Sequence, residues 1–431
     1  MALATASCRH VAPAPAAASF AEGDEGYRQM ERLVEVMLLV KKHYVEDESI
    51  TNILTGALNG MLHSLDEHSD YLDPEQVREM QEDTAAQYGG VGIWLGVRDN
   101  ALAVIAPVED SPAFRAGILA QDLISKIDGD NAATLSLRDA VQRLRGEPGT
   151  KVSIAVQRQQ EPAPRTFVLV REAITVPTVK GTRMLGDGIG YTRITQFAEP
   201  TAASVHAALE TLRGKGMKAL VLDLRSNPGG LLVSAKEVAE TFLPRGALVV
   251  SIRDRTGKAG EKRLTAEGNS RFADLPLVIL IDRGSASASE IVAGALRDHK
   301  RATLVGDRSY GKGSVQTVIP LTTETQAALR LTTAKYYTPS EKEIQDLGIE
   351  PDVAVTVSPA EWMKIQLRRA HEEDPRGFTA AELKADENVR DSALERAVEL
   401  LRVRLGGAPA PVAPAAGTNA ATASSVPITS P

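Results

Sequence analysis

LPLVILIDRGSASASEIVAGALRDHKRATLVGDRSYGKGSVQTVIPL, residues 275–321, is the stretch whose reading decides the fold. It opens with an apolar run over 277–281, short and β-branched enough to be a buried strand. Asp282-Arg283-Gly284 follows, then three serines alternating with alanines. From Ser289 the pattern turns helical, with Ile291, Val292, Ala295 and Leu296 on one face. A strand that runs through a glycine turn into a helix presents unpaired N–H groups and the positive end of the helix dipole at the turn. A serine placed there is a candidate nucleophile, because its transition state carries an oxyanion that needs such donors.

A serine nucleophile also needs a base. His299 lies 12 residues beyond Ser287 on the same predicted helix. At about 1.5 Å per residue that is roughly 18 Å, far outside hydrogen-bond reach. Lys312 fits better. It stands between Gly311 and Gly313, after an apolar strand pattern over 302–305 and before another over 315–321. Flanking glycines let the backbone bend so that the amine points inward, and burial lowers its pKa toward a usable general base. Gln316, four residues on, is placed to hold the amine through its side-chain carbonyl. Residues 306–313 also come close to a phosphate-binding loop. Gly313 stands where Ser or Thr must reach magnesium, and strand follows where a helix is required, so no nucleotide site is expected. Small-residue helix packing and a solvated turn lysine would explain either piece taken alone.

GSASASEIVAGAL followed by YGKGSVQ resembles the carboxyl-terminal processing, or tail-specific, proteases, which use a Ser-Lys dyad. In that family the nucleophile is the middle serine of the SASAS run, the lysine follows 25 residues later and an accessory glutamine four after that. The resemblance therefore implies Ser287 as nucleophile, Lys312 as base and Gln316 as its partner. It also implies an oxyanion hole from the Ala288 N–H and one glycine of Asn227-Pro228-Gly229-Gly230, with Gly229 and Gly230 both open. The implied fold is mixed α/β: a crotonase/ClpP-like protease core with an inserted PDZ domain and helical N- and C-terminal regions. Neither metal nor other cofactor is implied.

The rest of the chain divides accordingly. At 431 residues it holds two or three domains, and a formal net charge of −7 argues against a nucleic-acid partner. Cys8 is the single cysteine, so no internal disulfide is available. Residues 1–26 are Ala- and Pro-rich and read as a flexible segment without a signal-peptide hydrophobic region. Residues 27–84 read as helical, with Met30, Leu33, Val34, Met37 and Leu38 in an apolar stripe. His63 and His68 there fit helix-cap or core roles better than a metal site. Residues 85–172 are similar to a protease-associated PDZ domain. Val91-Gly92-Ile93 matches its carboxylate-binding loop, and Gln121 departs from the glycine usual before Asp122. Residues 173–357 alternate strand and helix and read as the α/β peptidase core, with Glu341 replacing a usual glycine in the closing signature. Residues 358–405 read as charged helices making interdomain or subunit contacts, and 406–431 as a disordered tail.

The function expected from this set is an endopeptidase that docks the free, apolar C-terminus of a protein or peptide on its PDZ domain and cleaves through an acyl-enzyme. The resemblance leaves room for a homo-oligomer through the N- and C-terminal helices and for an activating partner. It also implies an extracytoplasmic setting, the bacterial periplasm. The alternative is a catalytically silent PDZ scaffold that binds peptides; the intact Ser/Lys/Gln set counts against it. Crotonase-type thioester chemistry on the same fold is disfavoured by the PDZ insertion.

Overall fold

The computed structural model describes residues 25–98, 101–108, 110–158, 161–268, 270–322, 326–373 and 389–406. The segment 1–26, except its last two residues, and the tail beyond 406 lie outside the described residues. The core is a six-stranded sheet in the order Val179–Met184, Ile189–Ile194, Ala219–Asp223, Leu277–Ile281, Thr303–Gly306, Val353–Ala354. The first pairing is antiparallel and the other four are parallel. Every residue of Ala219–Asp223 and Leu277–Ile281 is buried, which explains why both strands are apolar without alternation. Leu220, Leu222, Leu277 and Ile279 face the helices Thr201–Gly214, Leu232–Glu240 and Ala288–Asp298. Val221, Val278 and Leu280 face the helix Ser392–Arg404, through Ala393, Ala397 and Leu401.

That last helix, in the stretch 358–405 read as interdomain or subunit contacts, packs within the core, where its apolar stripe covers the second face of the sheet. Burial of Leu401 alone contributes roughly 1.5–3 kcal/mol. Its N-cap, Asp391, also reaches Arg225, which bonds Asp391 at 2.8 and 2.9 Å and Asp223 at 2.7 Å. The cluster is buried. Desolvation pushes the Asp223 carboxyl up, but Arg225 and Arg369 outweigh it and hold Asp223 well below the usual carboxylate range.

A second sheet stands beside the first. Its ten-residue strand Ala328–Tyr337 pairs with Ser314–Pro320, with Leu248–Asp254 and with Asp70–Leu72 from the N-terminal region. The N-terminal region thus contributes a strand as well as helices, with Asp70 opposite Arg330. Ahead of it lie the helices Glu25–His43 and Ile50–His63. The former leaves Met30, Leu33, Val34 and Leu38 between 43% and 61% exposed.

The PDZ domain has its own sheet, Ile93–Arg98, Ala101–Pro107, Leu123–Ile127, Lys151–Gln157 and Arg165–Val170, with the helix Leu137–Leu144. Ile118, Ile127, Ile154 and Val156 are among the residues of its separate core. Chain entry and exit are zipped together. Gln87–Gly90 pairs antiparallel with Glu172–Thr175, and the Val176 N–H bonds the Ala86 carbonyl at 2.8 Å. Gln121 and Glu341, the two departures from glycine, both take left-handed backbone, at φ +70 and +60. Each turn therefore keeps the conformation a glycine would supply.

Candidate active site

The strand Leu277–Ile281 ends at Asp282, whose carboxylate accepts the Gly284 N–H at 2.9 Å and the Ser226 N–H at 2.8 Å. Ser285 is fully buried and donates to the Leu224 carbonyl at 2.8 Å; Ser289, also fully buried, donates to the Asn227 carbonyl at 2.9 Å. Two of the three alternating serines therefore stitch the turn to the 224–230 loop. Ser287 is the partly exposed one. It opens the helix Ala288–Asp298 at φ +53, ψ −112, a conformation that costs a non-glycine residue about 1–3 kcal/mol.

Glu290 holds that strained turn. Fully buried, it accepts four hydrogen bonds: from Ser309 Oγ at 2.6 Å, the Gly311 N–H at 2.7 Å, the Ser287 N–H at 2.8 Å and the Lys312 N–H at 2.9 Å. The last two share one oxygen, Oε2, which makes the backbones of Ser287 and Lys312 near neighbours. Burial pushes the Glu290 carboxyl up from its ordinary value, and the four donors pull against it. The lysine loop is fixed on its other side as well. The Gly313 N–H donates to Gln345 Oε1 at 3.0 Å, and a Cβ at Gly313 would sit 2.4 Å from the Gln345 nitrogen.

The Lys312 side chain is half-buried, and among the described residues its ammonium makes no hydrogen bond. Burial, and then the charge of Arg330, lower its pKa; Glu67 and Asp66 act in the opposite direction. Gln316 lies on the strand Ser314–Pro320, just past a bulge and opposite Thr332. Its amide nitrogen donates to Ser314 Oγ at 2.9 Å and Thr332 Oγ1 at 3.2 Å, and no hydrogen bond joins it to Lys312. The expected carbonyl contact to the amine is not made; it is the amide nitrogen that meets the cross-strand neighbour, as the ladder register dictates. Among the described residues no histidine bonds Ser287. His299 is taken by the Leu248 carbonyl at 2.7 Å, and His63 by Asp70 at 2.6 Å.

The Asn227–Gly230 loop lies against Ser287. A Cβ at Gly229 would stand 2.8 Å from Ser287 Cβ and 2.9 Å from the Ala288 nitrogen. The Gly229 N–H is already occupied by Asn227 Oδ1 at 2.9 Å. Among the described residues, the N–H groups of Gly230 and Ala288 donate to no protein acceptor.

Where the PDZ domain meets the preceding helix and the core, a cavity of about 240 Å³ is lined by Val91, Gly92, Ile93, Leu95, Val141 and Leu144, with Glu82, Asp83, Tyr88, Arg145 and Gln196 among its polar residues. The Val91 and Gly92 carbonyls turn inward to accept from Ala113 at 3.0 Å and Val108 at 2.8 Å. Their own N–H groups donate to no described residue. Gly92 has φ +73, and a Cβ there would meet Ser111 Cβ at 2.2 Å. The apolar lining and free donors suit a chain end with a carboxylate.

Sequence reasoning missed Glu290, although Ser287-x-x-Glu290 ahead of an apolar run is a legible helix-start pattern. It also missed Asp66, whose link to Gln316 through Thr332 spans most of the chain and leaves no local signal.

A family model described as peptidase family S41 matches residues 188–355, and a PDZ-domain model matches 104–158. Fold and site define a serine-type protease with a PDZ domain set into its α/β core. Over 333 residues the chain is 44% identical to the carboxy-terminal-processing protease of Bartonella bacilliformis, covering 76% of this chain and 75% of that one. Over 305 residues it is 39% identical to the carboxyl-terminal-processing protease of Synechocystis sp., covering 69% and 70%. It is also similar to a solved photosystem II D1 C-terminal processing protease, at 31% identity, a TM-score of 0.43, and coverage of 75% of this chain and 92% of that chain. The chain belongs to the carboxy-terminal processing proteases of peptidase family S41.

Proposed function

We propose that this protease works as a Ser-Lys dyad endopeptidase that selects substrates by their C-terminal tails. The observation that carries the reading is Glu290, one buried carboxylate oxygen holding the backbones of Ser287 and Lys312 side by side, with the lysine amine unpaired and its pKa depressed. Ser287 Oγ attacks the scissile carbonyl while its proton passes to neutral Lys312. The carbonyl oxygen, now negative, is held by the Ala288 and Gly230 N–H groups, since Asn227 engages that of Gly229. Collapse breaks the C–N bond, and Lys312 returns the proton to the leaving amine. Water, deprotonated by Lys312, then attacks the ester; the acyl C–O bond breaks and Lys312 returns the proton to Ser287 Oγ.

The PDZ groove takes the substrate's final residue in its apolar cavity and its carboxylate at Val91-Gly92-Ile93. The exposed stripe of the helix Glu25–His43 is the surface for a homo-oligomer, a contiguous apolar face of the kind that marks association. The setting is extracytoplasmic, by the same family resemblance. Among the described residues no helix is long and apolar enough to cross a membrane.

The test is hydrolysis of fluorescein-labelled β-casein. Ser287→Ala should lose on the order of 10³–10⁶ in kcat. Lys312→Arg keeps the charge but cannot deprotonate near neutrality, so it should be equally inactive. A base works only when neutral, so wild-type kcat/KM should rise with pH through the Lys312 pKa. Because burial and Arg330 depress that pKa, the rise should fall below the range of a solvated lysine. An active arginine variant, or turnover by Ser287→Ala, would defeat the dyad.

A further inference from the structure

The loop of residues 64–69 joins the N-terminal helices to the strand Asp70–Leu72, and it lies against the strands that follow Lys312. Asp66 organises it. Its Oδ1 accepts the N–H groups of His68 at 2.8 Å and Ser69 at 2.9 Å, and its Oδ2 accepts the Ser69 hydroxyl at 2.9 Å. Ser69, fully buried, in turn accepts the Thr332 N–H at 3.1 Å. The chain then leaves the loop. Thr332 Oγ1 donates to Asp66 at 3.2 Å and accepts the Gln316 amide at 3.2 Å, while Gln316 also donates to Ser314 Oγ, two residues from Lys312.

Each link has one polarity. The carboxylate can only accept, so the Thr332 hydroxyl must donate to it and offer its lone pair to Gln316. That orients the Gln316 amide with nitrogen toward Thr332 and its carbonyl free. We infer that Asp66 is a positioning residue of the catalytic centre, fixing Gln316 through Thr332 and presenting a negative charge toward Lys312 from an element about 250 residues earlier in the chain. This rests on the Ser-Lys reading and adds to it a requirement for the N-terminal region.

The charges around Lys312 come from three sides. Arg330 stands on the neighbouring strand, tied to Asp70 at 2.6 Å, which His63 also holds. Asp66 and Glu67 stand on the loop, and Glu290 lies behind the lysine backbone. Removing the Asp66 charge leaves Arg330 less opposed, so the protonated amine is disfavoured and the base becomes neutral at lower pH. Losing the Thr332 relay loosens Gln316 without touching any charge. The two effects therefore separate.

The experiment compares Asp66→Asn and Thr332→Val with wild type in the full-length protein, using kcat and the pH profile of kcat/KM on fluorescein-labelled β-casein. Asparagine keeps an acceptor for the His68 and Ser69 N–H groups, so the loop retains its fold. Asp66→Asn should lower kcat about tenfold and move the acid limb to lower pH. Thr332→Val should lower kcat by a similar factor with the limb unmoved. An acid limb in Asp66→Asn that coincides with wild type would overturn the inference, because a merely structural loop loses activity equally at every pH. Wild-type kcat in Thr332→Val would overturn it too, and carries the test alone if Asp66→Asn does not fold. Ser287→Ala, run beside them, keeps the two readings apart. Turnover there removes the dyad itself, whereas an inactive Ser287→Ala with an unmoved Asp66→Asn limb removes only the role of Asp66.

Discussion

Glu290 accepts four hydrogen bonds where no water reaches it, and its two oxygens are used by different parts of the chain. Glu290→Gln preserves shape but offers an NH₂ where one oxygen stood. Whichever way the amide turns, two donors lose their acceptor inside the protein. An unsatisfied buried donor costs about 1–3 kcal/mol, so with two of them stability should fall by about 2–6 kcal/mol in denaturant melts. Activity should fall further than stability alone explains, since the freed groups include the Ser287 N–H or the turn that carries Lys312. A variant as active as wild type would show that the strained serine turn holds itself. The φ of +53 at Ser287 argues that it does not.

Turns and strands show how unevenly the elements could be read. Leu277–Ile281 and Ala219–Asp223 were legible because strands covered on both faces are apolar throughout. The helix Ser392–Arg404 was legible as a helix but not as core. Glu and Arg are interspersed through it, and its fully buried face is Ala393, Ala397 and Leu401, one residue every four, flanked by the partly buried Leu394, Val398 and Leu400. The strand Asp70–Leu72 was not legible as part of the second sheet, because its partner lies beyond the whole PDZ domain. Spacing in the sequence singles out Ser287 and Lys312, while the bonding of Gln316 depends on a cross-strand register that no local pattern encodes. Gln121 makes the same point in reverse. Its sequence questioned the turn, yet the left-handed backbone persists at φ +70. Left-handed backbone costs a side chain about 1–2 kcal/mol, partly offset by glycine's greater unfolded freedom. Gln121→Gly should therefore stabilise the PDZ domain by about 0.5–1 kcal/mol, read as a raised melting temperature. At Glu341 the gain should be smaller, because its carboxylate bonds Lys258 at 2.9 Å.

At the scale of the molecule, helices cover both faces of the peptidase core's sheet, and the chain enters and leaves the PDZ domain through one two-stranded ribbon, with Lys180 over the Trp94 ring and Arg145 beside Glu82 as further contacts. Antiparallel strands already in register need only a two-residue turn to become a hairpin. Replacing residues 91–171 with Asn-Gly should leave a core that folds and still cuts fluorescein-labelled β-casein. It should no longer distinguish peptides with free C-termini from amidated ones, which wild type should. Loss of the folded core on excision, or persistence of the distinction, would contradict this division of labour. The ribbon therefore has a meaning for descent as well as for architecture. A segment that enters and leaves through one ladder rung can be transplanted, exchanged or discarded in a single genetic event, so the PDZ domain and the peptidase core are free to diversify at different rates.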